Sequence, residues 1–319
     1  MLNETIFKTA KLCVVGNINR DFKTAPLRAG AHLFEDGETS VAAIHETIGG
    51  GGANSAAAAA SLGAEVSFIG QVGVDAAGER LEQAMTRAGV RCHLYRNPAT
   101  PTGATLNLVY DNGRRHFLSC HPNNAALSFQ QLDLRALRQA KHLLRADLWF
   151  SEAMLFGGNE KLFQQARALG LAISVDLNWD PRWGQASRTE IQRRKQAVRK
   201  LLPLVCLAHG NVRELNEFAE AGDLETSLER LGAWGAQAVV VHMGKLGAGY
   251  YAQGKLVVEK PAPIKRPLMA TGSGDVLSVC LMLMHHRGDV PIQEKLRLAN
   301  AIVAQFIEGR RQLIPSLAS

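Results

Sequence analysis

The sequence predicts an α/β fold in which a mainly parallel central sheet carries helices on both faces. Short β-branched, apolar runs alternate with longer helical segments along most of the 319 residues, which is the order typical of a parallel sheet. Apolar residues make up 46% of the chain and charged residues 20%, so a disordered or collagen-like protein is excluded. This length suits one large domain, and we expect a single domain over residues 1–319.

The first predicted elements are marked by apolar runs and by their end residues. Residues 11–17 (KLCVVGN) form a short apolar run with Gly near its end, which indicates a buried strand. The Ala-rich segment 55–62 stops at a glycine and predicts a helix. Residues 66–69 predict a strand, and Asp75 offers an N-cap for a helix that ends near residue 88.

The alternation continues through the rest of the chain. Further strands are predicted at 147–151, 172–176, 204–208 and 238–242. Helices are predicted between them at 159–169, 188–202 and 224–231.

Two segments leave this alternation and return to it. Residues 21–47 are polar and irregular, whereas residues 91–120 alternate polar with apolar side chains around the turn Asp111-Asn112-Gly113. We expect the two segments to build a small separate sheet that acts as a lid over a site. The alternative is a surface hairpin with no gating role.

Charge and cysteine usage narrow the class of protein. The net charge is +7 and the pI about 9.3, which fits anionic ligands such as nucleotides without identifying one. Five scattered cysteines indicate neither a disulfide framework nor a zinc site. The apolar stretch 276–284 is too short to cross a bilayer, and residues 1–10 lack a secretory signal. We therefore expect a cytoplasmic protein without a membrane or nucleic-acid partner.

The strongest local motif is ATGSGD, residues 270–275, which leads directly into an apolar helix. The small residues Gly272, Ser273 and Gly274 would expose backbone N–H groups at a helix N-terminus, where the helix dipole favours an anion such as a phosphoryl group. Asp275 in the same turn is placed to accept a proton from an attacking hydroxyl. The alternative is that Asp275 only caps the helix.

Two further motifs carry small and polar residues. IGGGGA, residues 48–53, precedes Asn54 and an Ala-rich helix, and its glycines let backbone approach a ligand closely. The motif lacks the spacing of a P-loop or a dinucleotide fingerprint, so we favour a polar substrate held by glycine amides and Asn54. GNINRD, residues 16–21, ends the first strand, where Asn19 and Asp21 could bond sugar hydroxyls.

Together these motifs resemble the ribokinase-like carbohydrate kinases, the PfkB family, in the same order over residues 11–314. Residues 49–78 are similar to the family's first signature and ATGSGD to its second. Between them, Asn211 and Glu214 match its N-x-x-E motif, and residues 242–247 match its nucleotide-side strand and turn.

The resemblance implies ATP-dependent phosphorylation of a sugar or related alcohol. Asp275 is then the general base, and the amides of Gly272, Ser273 and Gly274 form the anion hole. The implied substrate-binding residues are Asn19, Asp21, Gly50, Gly51, Asn54, Glu152 and Asn178. The implied nucleotide-binding residues are His242, Gly244, Gly247 and Asn300. Asn211 and Glu214 would organise Mg²⁺ through water. The lid of this family often makes a dimer contact, so a homodimer is expected.

Some positions depart from the family pattern. Met269 and Ala270 replace the usual Asp and Thr of the second signature, so we do not expect K⁺ activation of the usual kind. Gly51 replaces a Lys common in ribokinases, and residues 176–182 (DLNWDPR) resemble a segment of members acting on ketoses and sugar acids. Two alternatives stay open: a kinase for a nucleoside or vitamin-like alcohol on the same fold, and a non-catalytic sugar-binding relative.

Overall fold

Two sheets organise the chain, as seen in a computed structural model that describes residues 4–112, 114–266, 268 and 271–317. The thirteen strands of the described residues are β1 (Lys11–Val15), β2 (Asn19–Thr24), β3 (Ile44–Gly49), β4 (Glu65–Gly73), β5 (Val90–Asn97), β6 (Ala104–Val109), β7 (Arg115–Cys120), β8 (His142–Arg145), β9 (Ala172–Asp176), β10 (Leu207–Asn211), β11 (Ala238–His242), β12 (Ala248–Ala252) and β13 (Lys255–Glu259). The large sheet has the order β13-β12-β11-β10-β9-β8-β1-β4-β5, and the small sheet has the order β3-β2-β6-β7.

Helices follow most strands of the large sheet. The α-helices of the described residues are α1 (Gly51–Ser61), α2 (Ala76–Arg87), α3 (Pro122–Ala125), α4 (Asn159–Ala168), α5 (Arg188–Arg199), α6 (Val212–Ala219), α7 (Leu224–Ala233), α8 (Ser273–Leu283) and α9 (Ile292–Ile307). The strands from β11 to β5 pair in parallel, and β12 and β13 add two antiparallel strands at one edge. The predicted α/β class is confirmed.

Helices cover both faces of the large sheet, and each face has its own apolar core. In β1, Leu12 and Val14 pack into one core with α1 and α8, while Cys13 and Val15 pack into the other with α4 and α6. Alternate residues of a strand point to opposite faces, so a strand buried on both sides must be apolar throughout. This explains why such strands appear in the sequence as unbroken runs of apolar residues.

Most predicted elements lie where the sequence places them, but one predicted strand is wrong. The strands at 172–176 and 238–242 match β9 and β11, and Asp75 caps α2 by accepting from Gly78 N–H. The strand predicted at 204–208 lies three residues later, as β10. Residues 147–151 do not form a strand, because the strand is β8 (His142–Arg145) and Asp147 has a φ of 57°. Arg145, the last residue of β8, is buried and donates to Asn159 Oδ1 at 2.8 Å. Because a charged residue interrupts the apolar run, the pattern does not predict β8.

The lid segments need a correction at both predicted ranges. The first part of 91–120 is not in the small sheet: β5 pairs in parallel with β4 and forms an edge of the large sheet. Segment 21–47, expected to be irregular, supplies β3 and most of β2, which pair antiparallel. The turn residue Gly113 lies outside the described residues. The homodimer through the lid stays a prediction, with Ile44 and Leu118 exposed on the small sheet.

None of the helices in the described ranges combines the length and apolarity that a membrane span requires.

A buried ion pair supports the core behind β8 and β9, and it gives a stability prediction. Arg194 on α5 donates from Nε to Asp180 Oδ2 at 2.7 Å and from Nη2 to Asp180 Oδ1 at 3.1 Å, and both side chains are buried. Asp180→Ala leaves the guanidinium inside without this carboxylate, so we expect a loss of about 3–5 kcal/mol of unfolding free energy in urea titrations. The control Asp289→Ala, which breaks the exposed pair with Arg287, should change stability little. Equal losses in the two variants would contradict this account.

Candidate functional site

The candidate site forms where the carboxyl ends of the central parallel strands meet the N-termini of α1 and α8. Strand ends of this kind are where open α/β sheets bind ligands. Asn54 on α1 donates from Nδ2 to Asp275 Oδ2 on α8 at 3.1 Å. The two glycine motifs are 221 positions apart in sequence, yet this contact brings their helices together.

The first turn of α8 is shaped by glycines. Gly272, the N-cap, has a φ of 87° and no side-chain cap, and its carbonyl accepts from Val276 N–H at 3.0 Å. A Cβ at Gly274 would lie 2.9 Å from His242 Nδ1, so this position is packed too closely for a side chain. Backbone amides at such a helix start attract anions, in agreement with the predicted anion hole.

Asp275 lies in this first turn and is an unusual carboxylate. Its pKa is raised to about 8, mainly by burial and also by the nearby charges of Asp147, Glu214 and Asp21, although the hydrogen bond from Asn54 opposes the shift. An acid with a pKa near neutrality is suited to exchange a proton with a hydroxyl group. Asp275 therefore lies in the helix turn where the sequence predicts it, and its pKa is compatible with the predicted role as a base.

Asp147 is a site residue that the sequence reasoning missed. Its Oδ2 accepts from Asn17 N–H at 2.9 Å and from Gly52 N–H at 2.8 Å, and its Oδ1 accepts from Asn178 Nδ2 at 3.1 Å. It thus caps α1, whose own N-cap, Gly50, has no side chain to do so. The available signal was an acid shortly after a strand, in a chain whose glycine-started helix α1 lacks a capping side chain of its own.

The small sheet contributes Asn19 and Asp21 to the site. Asn19 Nδ2 donates to Asp21 Oδ1 at 2.7 Å, and both side chains are buried. Burial raises the pKa of Asp21 to about 6, and the charge of Lys23 opposes this shift. Gly50 has a φ of 93°, and a Cβ there would lie 2.4 Å from Asn17 O, so the tetraglycine motif approaches the end of β1 closely.

Several buried amide groups around this space have no hydrogen-bond partner among the described residues. These atoms are Asn19 Oδ1, Asn54 Oδ1, Asn107 Nδ2 and Oδ1, Asn124 Nδ2 and Asn178 Oδ1. Buried polar atoms without partners are costly, and native structures contain few of them. Amide atoms of this kind could bond the hydroxyl groups of a ligand.

Glu152 is placed differently from the other predicted substrate residues. Its side chain is exposed, and its carboxylate faces Arg194 Nη1 at 3.7 Å. Glu152 lines a cavity of about 390 Å³ together with His121, Phe150 and Arg182. This cavity connects to the lid, because His121 Nε2 lies 2.8 Å from Thr105 Oγ1.

All four predicted nucleotide residues line a cavity of about 670 Å³ beside the first turn of α8. Ser273 and Gly274 line it too, and apolar side chains from α8 and α9 form one wall. Burial lowers the pKa of His242 to about 4, so its ring is neutral at pH 7. Asn300 Nδ2 donates to the carbonyls of Glu259 and Lys260 at 3.1 and 2.9 Å, and it therefore also holds the cavity wall.

Asn211 and Glu214, the predicted magnesium residues, form a capping box at the start of α6. Asn211 Oδ1 accepts from Glu214 N–H at 2.9 Å, and Glu214 Oε2 accepts from Asn211 N–H at 2.8 Å. Burial raises the pKa of Glu214 to about 7, although N–H groups of Asn211 and Trp179 lower it. Oxygen donors suit Mg²⁺, and because these are already engaged they fit a contact through water. In the part of the chain that the structure describes, no group of three or more His, Cys, Asp or Glu could hold a metal ion directly.

The expectation about K⁺ rests on Met269 and Ala270, which lie outside the described residues, so it stays a prediction.

Comparisons with known proteins identify the family. A sequence model described as pfkB family carbohydrate kinase matches residues 9–315. An uncharacterized sugar kinase of Archaeoglobus fulgidus is 26% identical over 256 residues, which cover 80% of this chain and 96% of that protein. A fructokinase of Vibrio alginolyticus is 25% identical over 247 residues, covering 76% of this chain and 77% of its own. The crystal structure of a putative ribokinase II from E. coli in complex with ATP and Mg²⁺ is 21% identical with a TM-score of 0.78, covering 95% and 94% of the two chains.

The raised pKa of Asp275 predicts how stability depends on pH. Below about pH 4 this carboxyl is protonated in both states, whereas between pH 4 and 8 only the unfolded chain releases the proton, so its contribution to stability falls as pH rises. Asp275→Asn removes this loss. We expect the variant to be more stable than the wild type at pH 8, on the order of a few kcal/mol, with a gain that shrinks toward pH 4. Urea unfolding at pH 4, 6 and 8 measures this, and a gain that grows as pH falls would contradict it.

Proposed function

Because the chain belongs to the pfkB family of carbohydrate kinases, which are phosphotransferases acting on hydroxyl groups, we propose that it transfers the γ-phosphoryl group of ATP to a hydroxyl of a sugar or sugar-like substrate. The 3.1 Å contact between Asn54 and Asp275 carries the proposal. It joins a helix start rich in glycine amides to a buried acid of raised pKa, beside a cavity for the nucleotide.

In the proposed reaction Asp275 accepts the proton of the attacking hydroxyl. The hydroxyl oxygen forms a bond to the γ-phosphorus, and the bond from that phosphorus to the bridging oxygen of ADP breaks. Negative charge builds on the transferred group, and the amides of Gly272, Ser273 and Gly274 stabilise it without reorganisation, since the helix start fixes their direction.

The acceptor is held on the opposite side of Asp275 from the nucleotide. Asn19 and Asp21 from β2, with Asn54 and Asn178, provide the oxygen and nitrogen atoms that orient its hydroxyls. Glycine amides at Gly50 and Gly51 allow the ligand to approach the backbone. Correct orientation of the two reactants lowers the barrier because their rotational freedom is lost on binding.

The nucleotide occupies the 670 Å³ cavity, with His242, Gly244, Gly247 and Asn300 on its wall. If Mg²⁺ is bound with ATP, it would supply positive charge against the phosphates. Asn211 and Glu214 contact its water shell in this proposal, which agrees with oxygens already engaged in a capping box.

A nucleoside or vitamin-like alcohol kinase is the second candidate. The 390 Å³ cavity favours it, because Phe150 offers aromatic surface where a ring substituent of an acceptor could lie. A panel of sugars, nucleosides and vitamin-like alcohols, read by coupled ADP release with and without K⁺, separates the two candidates. Thermal stabilisation by a sugar without ADP release would instead support a non-catalytic relative.

Removal of the proposed base tests the mechanism. We expect Asp275→Asn to lower kcat by about 10²–10⁴, because general base catalysis contributes that range, while ATP binding is kept. Coupled ADP release and calorimetric ATP titration measure the two quantities. Asp289→Asn, a carboxylate at the exposed surface, is the matched control and should keep full turnover. Full activity of the Asp275 variant would disprove the base role.

The proposed lid gives a prediction for amide exchange. Acceptor binding should slow hydrogen exchange in β6 and β7, because the small sheet closes over the ligand. Strand β5 belongs to the large sheet and should change little, so it serves as an internal control. Exchange in β6 and β7 that is unaltered at saturating acceptor would remove the lid role.

A further inference from the structure

The phosphate side of the candidate site needs positive charge, since carboxylates surround it. Those described near Asp275 are Asp21, Asp147 and Glu214, whose charges all act on its pKa. A nucleoside triphosphate adds more negative charge to this space. Among the described residues that line the nucleotide cavity, Arg115 and Lys245 are cations that could balance it, whereas His242 is neutral.

Arg115 reaches this cavity from the lid. It is the first residue of β7, the edge strand of the small sheet, and it pairs with Val109 of β6. Its Nη1 donates to Thr271 Oγ1 at 2.5 Å, and Thr271 directly precedes the N-cap Gly272. The guanidinium is therefore held against the turn that starts α8, on the wall that it shares with Ser273 and Gly274.

The chemistry of this group suits a phosphoryl oxygen. A guanidinium carries five N–H donors in a planar fork that matches phosphate, and it keeps its charge at any working pH. Lys23 on β2 also lies near enough to interact electrostatically with Asp21, Arg115 and Asp275, but it is not among the residues that line the nucleotide cavity. Arg115 is therefore the small-sheet cation that lines this cavity.

We propose that Arg115 is a catalytic residue that contacts the phosphoryl group during its transfer. The small sheet must then be closed over α8 for transfer to occur. This rests on the proposed function. Arg115 keeps its proton throughout: the hydroxyl oxygen bonds to phosphorus, the bond to ADP breaks, and the proton goes to Asp275. The guanidinium stabilises charge on the non-bridging oxygens, and its hydrogen bond to Thr271 holds it beside the amides of the first turn of α8.

Four variants test this, with the acceptor that the panel identifies. Arg115→Ala removes the contact, and Arg115→Lys keeps the charge but not the fork. Arg114→Ala removes a neighbouring cation that lies just before β7 and is not among the residues lining the nucleotide cavity, so it is the matched control. Thr271→Ala removes the partner of Arg115 and leaves the guanidinium. Melting temperature confirms that each variant is folded, and Arg115→Lys replaces Arg115→Ala if the latter is not.

We expect Arg115→Ala to lower kcat by about 10²-fold, the usual effect of losing one donor to a developing charge, with the KM of the acceptor nearly unchanged. Arg115→Lys should recover part of kcat, and Arg114→Ala should stay close to the wild type. Thr271→Ala should lower kcat less than Arg115→Ala does, because the guanidinium loses one positioning contact but keeps its charge. Wild-type kcat in Arg115→Ala overturns the inference and leaves the proposed function standing. A loss in Thr271→Ala equal to that in Arg115→Ala also overturns it, because Arg115 would then only fasten the lid. A wild type that releases no ADP with any acceptor removes the proposed function and the inference together.

Discussion

The site depends on the close approach of two glycine-started helices that one carboxylate and one amide hold together. A Cβ at Gly52 would lie 2.6 Å from Gly16 Cα, so α1 can begin against the end of β1 only without a side chain there. Asp147 then supplies the helix cap that glycine cannot, and Asn54 extends from α1 to Asp275. Substituting a larger residue at Gly52 would push the start of α1 away from the end of β1, and it would move Asn54 away from Asp275.

This arrangement is energetically costly because it brings several buried carboxylates close together. Burial and mutual repulsion raise the pKa of Asp275, and Asp176 lies close enough that Glu214, Asp275 and Asp147 all raise its pKa as well. The folded chain therefore retains protons that the unfolded chain would release. In the proposed function a carboxyl whose pKa lies near neutrality can exchange a proton with the acceptor, so stability is lost at the position where reactivity is needed.

Local signals in the sequence predict most of the helices, strands and motifs. The features that they do not predict depend on tertiary contacts. The N-cap Asp75 and the apolar run of β9 are local, and both lie as expected. Strand β8 contains a buried arginine, which apolar patterns exclude, and Asp147 takes a left-handed conformation that only its contacts to α1 explain. The position of β5 in the large sheet depends on pairing with β4, which alternation alone does not determine.

In the proposed function, the first turn of α8 also divides the site between two kinds of recognition. Toward the acceptor the surface is made of amides and acids, many of them on the small sheet, such as Asn107 and Asp21. Toward the nucleotide it is made of backbone turns and apolar side chains from α8 and α9. The nucleotide surface lies mainly on the helices and the edge strands of the large sheet, so it can stay constant. Acceptor choice then lies with the small sheet and the adjoining 390 Å³ cavity, where residues can change without disturbing the parallel core.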